Sequence, residues 1–172
     1  MKLNRQKINI RKAGGNEFLE ILQLLKIAAE NLQYRGIDQW SYWLDPPKER
    51  LDWAGDGFHN EEFFFITLNS QIIGMYRLCK EDLLYWGKQN DAAYYIHSFV
   101  IHPKYKGFQL GRYTLQFITE EALKNKISIL RLDCNASNKA LCQYYLNQGF
   151  IKVGEKQMPL SLNSLFEKRL TN

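Results

Sequence analysis

The pattern of apolar and polar positions predicts alternating strands and helices along the 172 residues. Apolar side chains recur at helical spacing in two segments, 17–34 and 111–124, which predicts amphipathic helices there. Short runs rich in aromatic and β-branched residues predict strands. The predicted order is β-α-α-β-β-β-α-β-α-β-β. The strands are predicted at 8–11, 63–68, 72–78, 94–101, 129–134, 151–157 and 165–170, with a second short helix at 47–53 and a fourth helix capped by Ser137 or Asn138.

The composition fits one domain over residues 1–172, since 45% hydrophobic residues can build a sizeable core and no linker or repeat divides the chain. No run of 18 apolar residues predicts a membrane span, and the start MKLNRQKINIRK has no apolar signal-peptide region. Three cysteines without C-x-x-C spacing argue against a disulfide framework and a zinc site. We therefore expect a cytoplasmic protein without a metal.

The net charge of +5 and pI near 9.0 invite a nucleic-acid interpretation. The basic residues are scattered, however, and no nucleic-acid-binding motif is present. The densest basic stretch is the segment 104–112, which an anionic small molecule explains as well. Nucleic acid is therefore an unlikely partner.

This basic segment has the pattern of a phosphate site. A predicted strand ends at His102-Pro103, and a loop with two glycines leads into the helix that begins near Gly111. The unpaired N–H groups at a helix start, together with the helix dipole, bind anions. The dinucleotide pattern G-x-G-x-x-G and the P-loop pattern are both absent. The expected ligand carries phosphates.

The loop and a second segment resemble the GCN5-related N-acetyltransferase (GNAT) superfamily. Lys106-Gly107-Phe108-Gln109-Leu110-Gly111 is similar to its pyrophosphate loop [Q/R]-x-x-G-x-[G/A], with Lys106 in place of Gln or Arg and Gln109 in place of Gly. The downstream segment 129–150 is similar to the family's strand–Asn–helix–Tyr–Gly-Phe pattern. Its matching residues are Asn138, Tyr145, Gly149 and Phe150.

The resemblance implies an α/β (α+β) GNAT fold, in which about four helices flank a mixed sheet of six to seven strands and strands four and five splay around acetyl-CoA.

The resemblance also implies that acetyl-CoA is a co-substrate, and that a primary amine attacks its thioester directly. Tyr145 would be the acid that protonates the leaving thiolate. The implied cofactor-binding residues are Phe99, Val100, Ile101, Lys106, Gly107, Phe108, Gln109, Leu110, Gly111, Arg112, Asn138 and Tyr145.

Each role has a structural alternative. Tyr144 is adjacent to Tyr145, so one of the two can face solvent and the other the core. Asn138 can be a helix cap only. His97, an ionisable group on the predicted central strand, is a candidate general base, although a single histidine on a strand is more often a packed residue.

The resemblance implies that the acceptor pocket is built from the loop between the first two helices and the loop between the last two strands. In and near the first of these loops, aromatic residues are combined with carboxylates: Tyr34, Asp38, Trp40, Tyr42, Trp43, Asp45, Asp52, Trp53 and Asp56. This combination suits a small cationic amine, and the alternative is that the aromatic residues only pack a lid. A second function class stays open, in which the chain binds acyl-CoA as a sensor or interaction module with little catalysis. A homodimer also stays open.

Overall fold

The computed structural model describes residues 8–37 and 39–171 of the 172-residue chain. Within them, seven strands and four α-helices alternate. The strands are β1 (Ile8–Lys12), β2 (Phe63–Leu68), β3 (Gln71–Cys79), β4 (Tyr94–Ile101), β5 (Ile129–Asn135), β6 (Ile151–Met158) and β7 (Ser161–Arg169). The helices are α1 (Phe18–Tyr34), α2 (Lys48–His59), α3 (Leu110–Lys124) and α4 (Lys139–Asn147), and two short 3-10 helices lie at Ser41–Trp43 and Pro103–Tyr105.

The strands form one mixed sheet in the order β1-β2-β3-β4-β5-β7-β6. The β4–β5 pair is parallel, whereas the pairs β1–β2, β2–β3, β5–β7 and β6–β7 are antiparallel. The recorded β4–β5 register runs from Tyr94↔Leu130 to Ile96↔Leu132, so it covers only the start of β4. The predicted mixed sheet with about four helices is confirmed.

The β2–β3 hairpin shows how local sequence sets this architecture. Asn69 and Ser70, at its turn, both have positive φ, +49° and +68°. Two successive left-handed residues match the twist of the flanking strands. The short turn therefore fixes the pairing of Leu68 with Gln71. An irregularity between Ile66 and Thr67 then shifts the register by one residue, so that Phe63 lies opposite Arg77.

Helix α2 is longer than the predicted segment 47–53, since it continues to His59. The sequence did not indicate the second half of this helix, because Gly55 and Gly57 are poor helix formers. Gly57 has a packing reason to be there: a Cβ at this position would lie 2.5 Å from the guanidinium of Arg77. The prediction failed here because tertiary packing outweighed helix propensity.

The chain divides into two compact units. The first comprises residues 1–77 and 98–111, and the second residues 78–97 and 112–172. The core of the first unit is built from α1, α2 and strands β2 and β3, with Ile21, Leu25, Phe63, Phe65 and Met75 fully buried. The second unit buries Ile118, Leu130, Leu132 and Phe166. The expectation of one domain over residues 1–172 stays a prediction.

Across the described residues, 8–37 and 39–171, no helix combines the length and the apolar character that a membrane crossing requires.

Candidate active site

The basic loop predicted from the sequence lies in the first unit and leads directly into α3, which begins at Leu110. Lys106 is extended, with φ −62° and ψ 141°. Gly107 and Gln109 both have positive φ, +87° and +58°. Leu110 is buried and anchors the helix start, whereas Lys106, Gly107 and Gln109 are exposed.

The backbone N–H groups of this loop are available to a ligand. None of the backbone hydrogen bonds found outside regular helices and strands in the described chain is donated by Gly107, Phe108 or Gln109. The first N–H groups of α3 have no partner inside the helix by geometry alone. A short run of N–H groups at a helix start, beside the exposed Lys106 ammonium, can bind the oxygens of an anion.

Gln109 occupies the backbone conformation that glycine would adopt without strain. A left-handed conformation costs a residue with a Cβ roughly 1–2 kcal/mol. The departure from the family pattern at this position therefore preserves the shape of the loop at a cost in stability.

The end of β4 is also in the first unit. Ser98 has φ +48°, which interrupts the extended conformation of the strand just before Phe99. The carbonyl oxygen of Val100 lies so close to Gly74 of β3 that a Cβ there would approach it to 2.6 Å. The strand continues into His102, whose N–H donates to the carbonyl of Ile73 over 2.9 Å.

Asn138, in the second unit, caps α4. Its side-chain oxygen accepts a hydrogen bond from the N–H of Leu141 at 3.2 Å. The structural role considered for this residue is therefore real, and contact with the cofactor remains a prediction.

Tyr145 and Tyr144 differ in their surroundings. Tyr145 is 7% exposed and packs its ring against Phe150 and Phe166 at centroid distances of 5.9 Å. Burial raises the pKa of its hydroxyl far above the ordinary value. Tyr144 is half-buried; burial raises its pKa as well, opposed by the positive charge of Arg112. Both phenols therefore stay protonated, and that of Tyr145 is the one more shielded from water.

His97 does not stand alone, as the sequence suggested, but lies between two carboxylates of the second unit. Its Nε2 is 3.2 Å from Oδ2 of Asp82, and its Nδ1 is 3.8 Å from Oδ1 of Asp133. One ligand-type atom from each of the three side chains lies within 4.8 Å of the others. Burial raises the pKa of Asp133, an effect that His97 and the hydrogen bond from Asn163 oppose and Asp82 reinforces.

Asp82 and Asp133 were not predicted as functional residues. The signal for Asp133 was present: in the strand I-L-R-L-D-C-N, Arg131 and Asp133 are charges at alternate positions of an otherwise apolar run, and so lie on one face. Asp82 had no such signal, because it lies in the 80–93 connection, and only the fold brings it to the imidazole.

The aromatic loop proposed for the acceptor lies in the first unit and packs largely inward. Trp43 is buried in the core, and Arg50 and Arg77 lie over the rings of Tyr42 and Trp53 at 4.2 Å and 4.1 Å. Trp40 has φ +64°, an uncommon conformation for a bulky residue. Lid packing therefore accounts for much of this loop. Asp38, also included in that prediction, lies outside the described residues.

Residues 23–150 match the family model described as the acetyltransferase (GNAT) family. The chain belongs to the GNAT family. It is accordingly an N-acetyltransferase, and the match spans every residue predicted to act in catalysis or to hold the cofactor.

Solved structures agree on the fold. A GNAT-family acetyltransferase from Streptococcus agalactiae is 18% identical, with a TM-score of 0.81 over 97% of this chain and 98% of that one. Another from Listeria monocytogenes is 24% identical, with a TM-score of 0.77 over 95% of each chain. YncA from Salmonella typhimurium, solved with its cofactor acetyl-CoA, is 16% identical, with a TM-score of 0.63 over 96% and 95%. A comparison with curated protein sequences found no match.

Proposed function

We propose that this GNAT enzyme transfers the acetyl group of acetyl-CoA to the primary amine of a small cationic molecule, by direct attack of the amine on the thioester. The observation that carries the proposal is the family match, because residues 23–150 include the loop at Lys106–Gly111, the end of β4 and α4. The binding of acetyl-CoA by YncA supports the choice of acyl donor.

Cofactor binding is proposed for two backbone segments of the first unit and for two further side chains. The N–H groups of Gly107 to Gly111, with Lys106 and Arg112, would hold the pyrophosphate. The backbone of Phe99, Val100 and Ile101 would hold the pantetheine arm and donate to the thioester oxygen, on which negative charge grows during attack. Asn138 would contact the same arm while it caps α4.

The chemical step requires an acid and a base. As the carbon–nitrogen bond forms, the carbon–sulfur bond breaks, and the amine gives up a proton. We assign the proton that reaches the sulfur to the Tyr145 hydroxyl, which afterwards regains one from water. We assign the uptake of the amine proton to His97. Because burial raises the pKa of Tyr145, this hydroxyl stays protonated throughout the ordinary assay range.

The preference for a cationic acceptor rests on the loop after α1. Asp45 is exposed in this loop and Asp56 on the following helix α2. Trp40 has the kind of strained backbone that often marks a binding loop. The aromatic faces of Tyr42 and Trp53 are already covered by arginines, so the carboxylates supply most of the selectivity in this proposal.

The test is the release of free CoA from acetyl-CoA with a panel of diamines, polyamines and neutral amines. We expect cationic amines to be acetylated faster than neutral amines. Tyr145→Phe should lower turnover about 10²-fold with CoA affinity nearly unchanged, within the usual range for one acid–base group. Tyr144→Phe is the matched control and should retain most activity, because adjacent helical residues point about 100° apart.

Two outcomes would count against this proposal. Full turnover in Tyr145→Phe combined with a loss in Tyr144→Phe would move the acid by one residue. Tight CoA binding without turnover on any amine would favour the alternative, a module that binds acyl-CoA with little catalysis.

A homodimer and a cytoplasmic location are also proposed. The edge strand β6 exposes Ile151 and Val153, which a second copy could cover. Cys79, Cys134 and Cys142 are free thiols, which suits a reducing compartment.

A further inference from the structure

Three ionisable side chains of the second unit meet at the point where the recorded β4–β5 pairing ends. The last pair of that register is Ile96↔Leu132, and His97 and Asp133 are the next residues on the two strands. Asp82 reaches the same point from the connection between β3 and β4. Their side chains are 14%, 10% and 6% exposed for His97, Asp133 and Asp82, so the imidazole is the member most open to solvent.

The two carboxylates face different nitrogens of the ring. Asp82 lies by Nε2 at 3.2 Å, and Asp133 lies by Nδ1 at 3.8 Å. A metal ion binds an imidazole through one nitrogen only. One ligand-type atom of each side chain lies within 4.8 Å of the others. A cation on one nitrogen would nevertheless leave the carboxylate contact at the other nitrogen unused, so the arrangement suits protons better than a metal.

With a neutral imidazole, the cluster has too few N–H groups to give each carboxylate a donor. A neutral imidazole has one N–H and one lone pair, whereas an imidazolium has two N–H groups. With both carboxylates ionised and a neutral ring, only one carboxylate can face a donor and the cluster carries a charge of −2. One added proton gives each carboxylate a donor and reduces the charge to −1.

Each carboxylate is held by one of its oxygens, which turns the other toward the ring. Oδ1 of Asp82 accepts the N–H of Tyr85 at 3.0 Å, while its buried Oδ2 meets no hydrogen-bond criterion and faces His97. Oδ2 of Asp133 accepts the side-chain N–H of Asn163 at 2.6 Å, which leaves Oδ1 to His97.

Within residues 8–37 and 39–171, no cation other than His97 forms an ion pair with Asp82 or Asp133. The tilted ring of Tyr85 lies 6.1 Å from the imidazole. On the same face of β5, the next charge is Arg131, which is engaged with Glu167 of β7 and with the hydroxyl of Tyr95 of β4. Asp91, from the connection, is 3.8 Å from the same guanidinium. The proton itself is thus the cation that the cluster can best take up.

We propose that Asp82 and Asp133 are positioning residues which hold the imidazole of His97 between them, and that the three side chains accept, as one unit, the proton that the substrate amine loses. This inference rests on the proposed function and names the group behind His97. In the step, an N–H bond of the amine breaks, an N–H or O–H bond forms within the cluster, and the proton then leaves to water.

The first experiment measures the protonation of His97 and does not depend on enzyme activity. NMR signals of the imidazole ring carbons are followed against pH, with His97→Gln used to assign His97 among the three histidines. In Asp82→Asn and in Asp133→Asn, the His97 signals should change with pH at lower pH than in the wild-type protein, because a nearby negative charge has been removed. Asp91→Asn, in the same connection but 61% exposed, is the control and should not move it.

The second experiment links the cluster to the reaction through the pH profile of acetyl transfer at saturating acetyl-CoA. Both Asn variants should shift the acid limb to lower pH and lower the plateau, since the remaining base is weaker. A merely structural role would lower the plateau and leave the limb in place. CoA affinity by calorimetry should stay unchanged and reports that the variants are folded.

Three results would overturn the inference. The first is an unmoved His97 titration in both Asn variants, and the second is an acid limb unaffected by either. The third is stoichiometric Zn²⁺ binding that both substitutions abolish, which would assign the cluster to a metal ion. If the wild-type protein transfers acetyl to no amine but the NMR midpoints still shift, the proposed function fails and the cluster remains a proton-binding unit.

Discussion

Both units of the molecule bury an arginine between a carboxylate and a tryptophan, and they differ in what surrounds it. In the first unit, Arg77 pairs with Glu62 at 2.6 Å and lies over the ring of Trp53. In the second, Arg131 pairs with Glu167 at 3.0 Å and lies 5.1 Å from the ring centre of Trp86.

The first arginine joins regular elements, because it also donates to the carbonyl of Trp53 in α2 over 2.8 Å. The second joins a sheet face to the 80–93 connection, and on the same face of β5 the ionisable groups continue to Asp133. The buried ion pair of Arg77 thus has a structural role in the first unit. The second unit has additional buried charges, and such groups concentrate at functional sites.

The largest expected effect tests the two arginines against each other. Arg131→Met should lower the free energy of unfolding by about 3 kcal/mol, since it leaves Glu167 buried with the exposed Arg169 as its remaining ion-pair partner among the described residues. Arg77→Met should cost less, about 2 kcal/mol, because Glu62 is 24% exposed and can turn toward water. Urea unfolding measures both.

A double variant sharpens this prediction. Arg131→Met combined with Glu167→Met should recover much of the loss, since an apolar pair of similar volume needs no counter-charge. An equal loss in the single and the double variant would show that packing over Trp86, rather than the ion pair, holds the connection.

An intermediate effect is expected at the exposed loop of the first unit, where charge rather than burial should determine the affinity for CoA. Lys106→Glu places a like charge beside the proposed pyrophosphate and should weaken CoA binding about tenfold. Lys126→Glu, equally exposed but beyond the other end of α3, makes the same change in net charge and should alter affinity little. Calorimetry at fixed ionic strength compares them, and equal affinities would place the pyrophosphate elsewhere.

The smallest effect concerns the left-handed residue of the same loop. Gln109→Gly relieves a strained φ of +58° but increases the freedom of the unfolded chain, so the net stabilisation should be about 0.5 kcal/mol. Gly107→Ala should act in the opposite direction, by about 1 kcal/mol, since its φ is +87°. Thermal unfolding distinguishes the two signs, and a destabilised Gln109→Gly would mean that the glutamine side chain contributes an interaction of its own.

The sequence predicted the elements whose signals are local. The spacing of apolar residues in α1 and the composition of β2 and β4 located them to within one residue at each end. In contrast, β7 begins at Ser161, earlier than the predicted 165, because its early residues pair with β6 rather than follow an alternating pattern.

The candidate site likewise contains residues with a local sequence signal and residues without one. The loop at Lys106–Gly111 and the tyrosine of α4 could be located because motifs carry them in consecutive residues. The partners of His97 could not be located from the sequence, since Asp82 and Asp133 lie 15 residues before it and 36 after it. Neither strand of a parallel pair contains a local signal for their register. Long-range pairing, rather than local propensity, assembles that cluster.

Gly74 sets a limit on redesign of the first unit. A methyl group at this position would approach the carbonyl oxygen of Val100 to 2.6 Å, and backbone on a neighbouring strand cannot move aside as a side chain can. In a library that randomises β3 to alter acyl-group preference, every non-glycine codon at 74 would displace the stretch of β4 proposed to bind the thioester. Diversity is therefore better placed at Ile72 or Leu78, which are only partly buried.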